Sequence, residues 1–190
     1  MLERVYDKIK AHYNIDGLVM GDGPKNARIM LIGEAPGKDE VINGRPFCGK
    51  AGKNLDSFLQ VLEINRSDIY ISNVVKFRPH RISAKGTVAN RPPTRKEILE
   101  ALPFLYEEIG ALSPALIVTL GNTPLRAACG DFSATIGDYH GKLSKVCISS
   151  ADYNLFALYH PASIIYNRSL ADVYEEDLHI LKKQLGDLGL

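Results

Sequence analysis

The chain has 190 residues, 45% of them hydrophobic, and a formal net charge of +1 at pH 7, which suits one folded domain with a sizeable core. No segment has the apolar length to cross a bilayer, and the first residues lack the charged-then-apolar order of a secretory signal, so we expect a cytoplasmic protein. The three cysteines, Cys48, Cys129 and Cys147, form no Cys-x-x-Cys pair, which argues against a disulfide framework and a cysteine metal site.

Helices and strands alternate along the chain. Apolar residues at helical spacing predict an opening helix over residues 2–13 and later helices at residues 55–62, 94–109, 124–129 and 173–185. Apolar runs predict strands at residues 27–32, 69–75, 115–120 and 155–159, with an edge strand at 143–148. Strands separated by helices pair in parallel. We therefore predict an α/β fold, a three-layer α/β/α sandwich around a central, mainly parallel four-stranded sheet, as one domain over residues 1–190.

Two local signals mark helix starts. Thr94, with Glu97 three residues later, has the form of a capping box. Thr123 followed by Pro124 predicts another helix start, with Thr123 as the cap. Residues 83–93 are predicted to form the one long loop.

A glycine-rich segment follows the first predicted strand, at residues 33–52. It opens at the carboxyl end of that strand, where open α/β sheets place their ligand crevice. Glycine lets the backbone approach a ligand closely, and proline keeps the turn stiff. An ordinary glycine-rich turn is the alternative, but Glu34, Glu40 and Phe47 in the same segment weigh against it.

Polar residues follow two further predicted strands: Asn73 lies near the end of the second and His160 follows the last. Each has a plain explanation on its own, since Asn73 could cap a turn, His160 could be a hydrogen-bonded core residue and Phe47 could serve packing. The carboxyl ends of parallel strands share one edge of a sheet. We therefore expect these residues and the two glutamates to meet at one crevice.

The charges are unevenly distributed. Residues 69–96 contain no Asp or Glu, and their basic residues are Lys76, Arg78, Arg81, Lys85, Arg91, Arg95 and Lys96. A solvated basic loop and a rim that faces phosphates explain this segment about equally well.

Residues 44–50 match the spacing of a nucleotide-binding P-loop up to Lys50. Ala51 stands where that motif needs a Ser or Thr hydroxyl for magnesium. Pro46 and Phe47 would also remove or crowd the amide donors that hold phosphates. A nucleotide-binding α/β protein is therefore a disfavoured hypothesis, and stabilisation against heat by ATP or GTP would support it.

The motifs form a recognisable set: GEAPG at residues 33–37 with Glu40, GRPFCGKAG at 44–52, NVVKFRP at 73–79 and HPAS at 160–163. Together they closely resemble the family 4 uracil-DNA glycosylases, over most of the chain from about residue 21. The resemblance implies a base-flipping DNA repair enzyme that cleaves the bond joining uracil to deoxyribose, with no cofactor. We expect a monomer that acts on uracil in single-stranded or mismatched duplex DNA. The alternative is a non-catalytic DNA-damage or uracil-binding module on the same fold.

The chain departs from that family at the four-iron four-sulfur cluster, which its members typically hold through two N-terminal and two central cysteines. The opening helix has no cysteine, Phe77 stands at one central position and about Ala101 at the other. We therefore expect no iron–sulfur cluster, and infer that apolar packing by Phe77 and the first helix replaces it. The loop over residues 80–93 also looks longer than the family's usual one.

The resemblance implies roles for the polar residues of the crevice. Phe47 would stack on the base, and the Asn73 amide would accept from N3–H and donate to O4, which selects uracil over cytosine. His160 would donate to O2 as uracil leaves as an anion. Glu34 or Glu40 would stabilise the cationic sugar or orient water, with Glu34 preferred as part of the pocket backbone and Glu40 on the water side.

Further residues would surround the base or hold the DNA strand. Ala35 and Gly37 belong to the 34–40 loop, which would line the region beside C5 of uracil and exclude the methyl group of thymine. DNA-binding contacts are expected from Lys50, Lys76, Arg78, Ser163, Ile164 and Arg168. Ile164 or Ile165 would wedge into the vacated stack. No metal site is expected.

Overall fold

The computed structural model describes residues 1–163 and 169–190. Its strands are β1 (Ile29–Gly33), β2 (Tyr70–Asn73), β3 (His80–Ile82), β4 (Val88–Asn90), β5 (Leu116–Leu120), β6 (Leu143–Ile148) and β7 (Ala151–Leu158). Its helices are α1 (Leu2–Tyr13), α2 (Lys38–Asn43), α3 (Lys50–Leu62), α4 (Arg95–Leu112), α5 (Asn122–Cys129), α6 (Ile136–Tyr139) and α7 (Leu170–Asp187). A 3₁₀ turn, Arg66–Asp68, precedes β2.

The central sheet has five strands in the order β2-β1-β5-β7-β6. Strands β2, β1, β5 and β7 are parallel, and β6 pairs antiparallel with β7 at the edge. The α/β fold and the mainly parallel sheet are confirmed. The sheet has five strands rather than four because β6 is a full hairpin partner of β7. Ser149 and Ser150, both at positive φ, form the tight turn between them.

Helices cover both faces of the sheet, which explains why its central strands are apolar throughout. Along β1, Met30 and Ile32 pack into one core with residues of α1, α4 and α5. Ile29 and Leu31 pack into the other core with residues of α3 and α7. Successive side chains of a strand point to opposite faces, so a single apolar strand serves both cores. The three-layer arrangement is therefore confirmed.

Helix α4 begins as its sequence predicts. Thr94 Oγ1 accepts from the Glu97 N–H at 3.3 Å, and Glu97 Oε2 accepts from the Thr94 N–H at 2.6 Å. These reciprocal bonds satisfy two amide donors that the first helical turn leaves open. In the described part of the chain, no helix has both the length and the apolarity needed to span a membrane.

Three local predictions are wrong. The glycine-rich segment contains α2, whose residues include none that are buried, so no apolar periodicity reveals it. Helix α5 begins at Asn122 with Gly121 as its cap, at a φ of 92° that glycine tolerates, rather than with Thr123. The predicted loop contains most of a β3–β4 hairpin, in which Ile82 pairs with Val88. Strands of three residues are too short for a recognisable alternation.

Candidate active site

A cleft of about 1110 Å³ opens at the carboxyl ends of β1, β5 and β7. Most of the residues that line it fall within the ranges 34–40, 47–51, 90–92, 120–122 and 159–163. This is the edge of the sheet at which the sequence predicts a ligand crevice. The volume is slightly above the range of about 300–1,000 Å³ that is usual for small-molecule sites, so the cleft has room for a whole nucleotide.

Phe47 lines this cleft, and its backbone is held from both sides. Its N–H donates to Glu40 Oε1 at 2.6 Å, and its carbonyl oxygen accepts from Arg66 Nη2 at 3.0 Å. The residue adopts a φ of 52°, which is unfavourable for a bulky side chain and persists only where surrounding contacts impose it. A carboxylate and a guanidinium from two different elements therefore hold the backbone from which the ring of Phe47 projects.

Glu40 lines the cleft and also organises the loop. Besides binding the Phe47 N–H, its carboxylate accepts from the Gly37 N–H. Both oxygens are thus engaged with backbone donors. The geometry gives Glu40 a positioning role and does not favour the water-side role preferred from the sequence.

Glu34 follows β1 and presents a freer carboxylate to the cleft. Its Oε2 accepts from Thr123 Oγ1 at 2.5 Å. Within residues 1–163 and 169–190, no donor is recorded for Glu34 Oε1. This oxygen is a carboxylate acceptor of the cleft that is available to a ligand or a water.

Asn73 ends β2, opposite Gly33 of β1. Its side chain is 2% exposed, and Nδ2 has no hydrogen-bond partner among the described residues. A Cβ on Gly33 would lie 2.5 Å from Asn73 Oδ1 and 2.6 Å from the Phe47 ring, so only glycine lets the amide and the ring meet there. Asn73 lies beside Phe47 and does not itself line the cleft. A buried donor without a partner costs about 1–3 kcal/mol, so a ligand that accepts from Asn73 Nδ2 would recover that free energy.

His160 follows β7 and lines the cleft opposite Phe47, with ring centroids 6.0 Å apart and an angle of 32° between the rings. Burial lowers the pKa of His160 from 6.5 to about 4, so the imidazole is neutral at pH 7. Its Nδ1 accepts from the Ala162 N–H at 3.1 Å, which assigns the proton to Nε2. The site therefore has a neutral N–H donor held on a backbone amide.

The other predicted contacts fall into three groups. Ala35, Gly37, Lys50 and Ser163 line the cleft. Arg78 lies next to it, because its Nε donates to Oδ1 of the cleft residue Asn90 at 2.7 Å. Ile164, Ile165 and Arg168 lie outside the described residues.

The expectation that Lys76 binds DNA is wrong. Its side chain is 2% exposed, and its Nζ donates to Glu108 Oε2 at 2.6 Å, Ser72 Oγ at 2.5 Å and the Asn73 carbonyl at 2.7 Å. Glu108 is fully buried and also accepts from the hydroxyls of Ser72 and Tyr70. The ammonium therefore has no free donor for phosphate, and it anchors the backbone that carries Asn73.

Arg66 and Glu108 are site-supporting residues that the sequence interpretation missed. Arg66 Nη1 donates to Asp56 Oδ1 of α3 at 2.9 Å, and Nη2 also donates to the Pro46 carbonyl at 2.8 Å. No motif surrounds Arg66, so only the fold reveals its contact with the Phe47 loop. Glu108 did carry a signal, because it lies on the apolar face of α4 between Leu105 and Leu112.

The described residues do not fit an iron–sulfur cluster. Phe77 meets the Tyr13 ring of α1 edge-on at 5.3 Å between centroids, and Ala101 is buried in the core. The cysteines lie on separate segments of the chain. Among residues 1–163 and 169–190, no group of three or more His, Cys, Asp or Glu residues could hold a metal ion. Aromatic packing between α1 and the segment after β2 supports this region instead.

Comparison with known proteins gives a consistent result. Residues 20–182 match the family model of the Uracil DNA glycosylase superfamily. Three similar proteins are type-4 uracil-DNA glycosylases. The one from Saccharolobus solfataricus is 37% identical over 88% of this chain and 76% of its own length. Those from Pyrobaculum aerophilum and Archaeoglobus fulgidus are 35% and 34% identical, over 90% and 95% of this chain and 85% and 86% of their own lengths.

Proposed function

We infer the reaction from the premise that this chain belongs to the uracil DNA glycosylase superfamily. It is a DNA repair glycosylase that removes uracil, hydrolysing the N-glycosidic bond of deoxyuridine to release the free base and leave an abasic site. One observation supports this most strongly. Glu34, Phe47 and His160 line a single cleft, and the Asn73 amide lies directly beside Phe47.

We propose that the target nucleotide is everted into this cleft and that Phe47 and Asn73 bind its base. Eversion costs a few kcal/mol, which stacking on the Phe47 ring offsets. The unpaired Asn73 Nδ2 then donates to O4, and Oδ1 accepts from N3–H. Cytosine has a donor in place of O4 and an acceptor at N3, so it mismatches both atoms of an amide in this orientation. Because Asn73 is 2% exposed and Phe47 is 3% exposed, the base reaches both residues only as the Phe47 side of the cleft opens.

The two charges that develop as the bond breaks require two further groups. Uracil departs as an anion, and the neutral Nε2–H of His160 is the donor we assign to its O2. The sugar gains positive charge, and we assign Glu34 to stabilise it or orient the attacking water, because its Oε1 is the freer carboxylate oxygen. Glu40 acts through the loop that it holds.

Thymine differs from uracil only by a methyl group at C5, which an amide cannot detect. We propose that the loop carrying Ala35 and Gly37, which lines the cleft, excludes that methyl group by its shape. The loop is stiffened by Pro36 and by the bond from the Gly37 N–H to Glu40.

We also propose that the chain forms one domain over residues 1–190 and acts as a monomer in the cytoplasm. Its substrates on this proposal are uracil in single-stranded DNA and in mismatched duplexes, where eversion costs least. No iron–sulfur cluster is proposed, since the described residues provide no cysteine set for one.

An assay of base release tests the proposed function. The protein is incubated with single-stranded and mismatched duplex DNA containing uracil, and free uracil and alkali-labile abasic sites are measured beside thymine and hypoxanthine controls. Uracil release from either DNA is the expected result. Tight binding without release would instead support a non-catalytic uracil-binding module, and absence of both would refute the proposal.

Asn73→Asp is expected to lower kcat/KM for uracil release by about 10- to 100-fold, because a carboxylate cannot donate to O4 and leaves that atom unpaired. A protonated carboxyl has a different donor pattern, so release of cytosine is measured in parallel. Asn26→Asp, at an exposed turn on another part of the surface, is the matched control and should keep full activity. Unchanged uracil kinetics in Asn73→Asp would remove this residue from the base pocket.

Arg66→Met is expected to lower kcat for uracil release by about tenfold. The carbonyls of Pro46 and Phe47 lose the guanidinium that donates to them, and a small misplacement of a stacking group slows the reaction. Arg66→Lys should recover part of the rate, since an ammonium can still donate to one of the two carbonyls. Arg4→Met, an exposed change on α1, is the control. If Arg66 only stabilised the fold, Arg66→Met would lower the melting temperature and leave kcat of the folded enzyme unchanged.

A further inference from the structure

The β3–β4 hairpin stands at the rim of the cleft and is not used by the reaction derived above. Its base is tied to the site, because Asn90 lines the cleft and accepts from Arg78 Nε at 2.7 Å. Arg91 then anchors the end of β4 through two 2.7 Å bonds to Glu97 on α4. Beyond this base the hairpin projects into solvent, and residues 80–88 are all exposed.

One face of the hairpin continues the wall of the cleft. In an antiparallel pair, opposed residues share a face, and residues two apart along a strand also share it. The register pairs His80 with Asn90 and Ile82 with Val88, so all four lie on one face. Because Asn90 faces the cleft, the Ile82–Val88 pair lies on the cleft side, about 7 Å further out along the strand.

This pair forms an apolar patch on a solvent-exposed ribbon. Ile82 is 67% exposed and Val88 is 47% exposed, and the two are paired across the strands. The 7 Å offset corresponds to the rise of about two stacked nucleotides along a DNA strand. The pair is therefore at a distance that suits contact with nucleotides within about two steps of one held beside Asn90.

The charge of the hairpin fits a nucleic acid. Arg81 lies on the opposite face and Lys85 at the tip, and neither has an ion-pair partner in the described part of the chain. The sequence contains no acidic residue from position 69 to position 96. A free cation at the tip, and a second on the opposite face whose long side chain can reach around the edge of the ribbon, are suited to a strand whose bases are apolar on their faces and whose backbone is anionic.

We propose that the β3–β4 hairpin is a DNA-binding arm. Ile82 and Val88 pack on the bases and sugars of the nucleotides that flank the everted one, and Arg81 and Lys85 bind their phosphates. The proposal rests on the proposed function for the identity of the cleft's occupant. It assigns the hairpin to substrate binding and not to the chemical step.

Binding and cleavage are measured separately to test it. Affinity is measured by fluorescence anisotropy, at several salt concentrations, on a single strand carrying 2′-fluoro-deoxyuridine, which resists cleavage because the fluorine destabilises the sugar cation. Single-turnover cleavage of ordinary uracil DNA is measured at saturating enzyme.

Two double variants are compared with the wild-type protein. The apolar double variant carries Ile82→Ser and Val88→Ser, and the basic double variant carries Arg81→Ala and Lys85→Ala. The controls are Leu99→Ser on α4 and the exposed pair Lys10→Ala with Lys145→Ala.

The apolar double variant should bind about tenfold more weakly, while its single-turnover rate at saturation and its melting temperature stay unchanged. The basic double variant should reduce the slope of log affinity against log salt concentration by about 1.4, the value for two phosphate contacts on a single strand. Affinities and slopes equal to those of the controls would overturn the proposal. If the wild-type protein released no uracil but the hairpin variants still weakened binding, the proposed function would fail and the binding arm would stand.

Discussion

His160→Ala is expected to slow uracil release by about 100-fold or more while DNA affinity changes little. The structure provides the reason: His160 Nδ1 is occupied by the Ala162 N–H, so Nε2–H is a fixed donor for the oxygen on which charge develops. Single-turnover rates and binding to cleavage-resistant DNA are measured on the same variant. His179→Ala, an exposed histidine of α7, is the matched control and should behave as wild type. Equal losses of rate and affinity in His160→Ala would make the residue structural.

The pH dependence of folding checks that His160 is a neutral donor. Its pKa is lowered by burial from 6.5 to about 4, so the unfolded chain binds this proton more readily than the folded one. Stability should therefore be intact above pH 6.5 and fall by about 3 kcal/mol as the pH drops to about 4. His160→Gln should remove this part of the slope in urea unfolding measured from pH 4 to pH 7. An unchanged slope would show that His160 is not the buried neutral group.

Lys76→Met is expected to lower the free energy of unfolding by about 3–5 kcal/mol, because it leaves the fully buried Glu108 carboxylate without its cation. The double variant with Glu108→Leu should recover much of this loss, since an apolar pair avoids burying charge. Urea unfolding measures both. Lys8→Met breaks an ion pair of the same 2.6 Å length to Glu107 on the surface and should cost at most about 1 kcal/mol.

Two outcomes would contradict this account of the buried pair. One is a Lys76→Met protein as stable as the Lys8→Met control. The other is a double variant no more stable than the single one, which would mean that the loss does not come from an unpaired Glu108. Lys76 Nζ also donates to the Asn73 carbonyl at 2.7 Å, and the double variant lacks this bond. It should therefore be more stable than Lys76→Met but less active than the wild-type protein.

The sequence predicts the part of the site that follows from sheet geometry. Glu34, Phe47 and His160 reach one cleft because each follows a strand or loop whose end lies at the same edge of a parallel sheet. The apolar run of β1 and the capping box of α4 were likewise sufficient to place those elements, because each is a local pattern with one physical explanation. Local patterns and the common edge thus account for the correct predictions.

The failures concern contacts between segments far apart in sequence. Lys76 follows a strand and has the chemistry of a phosphate-binding residue, but its partner Glu108 lies 32 positions away on α4. Arg66 binds the Phe47 carbonyl from 19 positions away, without any motif around it. The β3–β4 hairpin was hidden because its strands are short and exposed, so neither burial nor alternation indicates them.

The most direct test of the central claim is a crystal structure of the protein with DNA that carries 2′-fluoro-deoxyuridine. The base should be everted into the cleft, stacked on Phe47, with the Asn73 amide on N3 and O4 and His160 Nε2 within hydrogen-bond distance of O2. A base that remains in the stack, or that lies in the cleft without contact to Asn73 and His160, would contradict it.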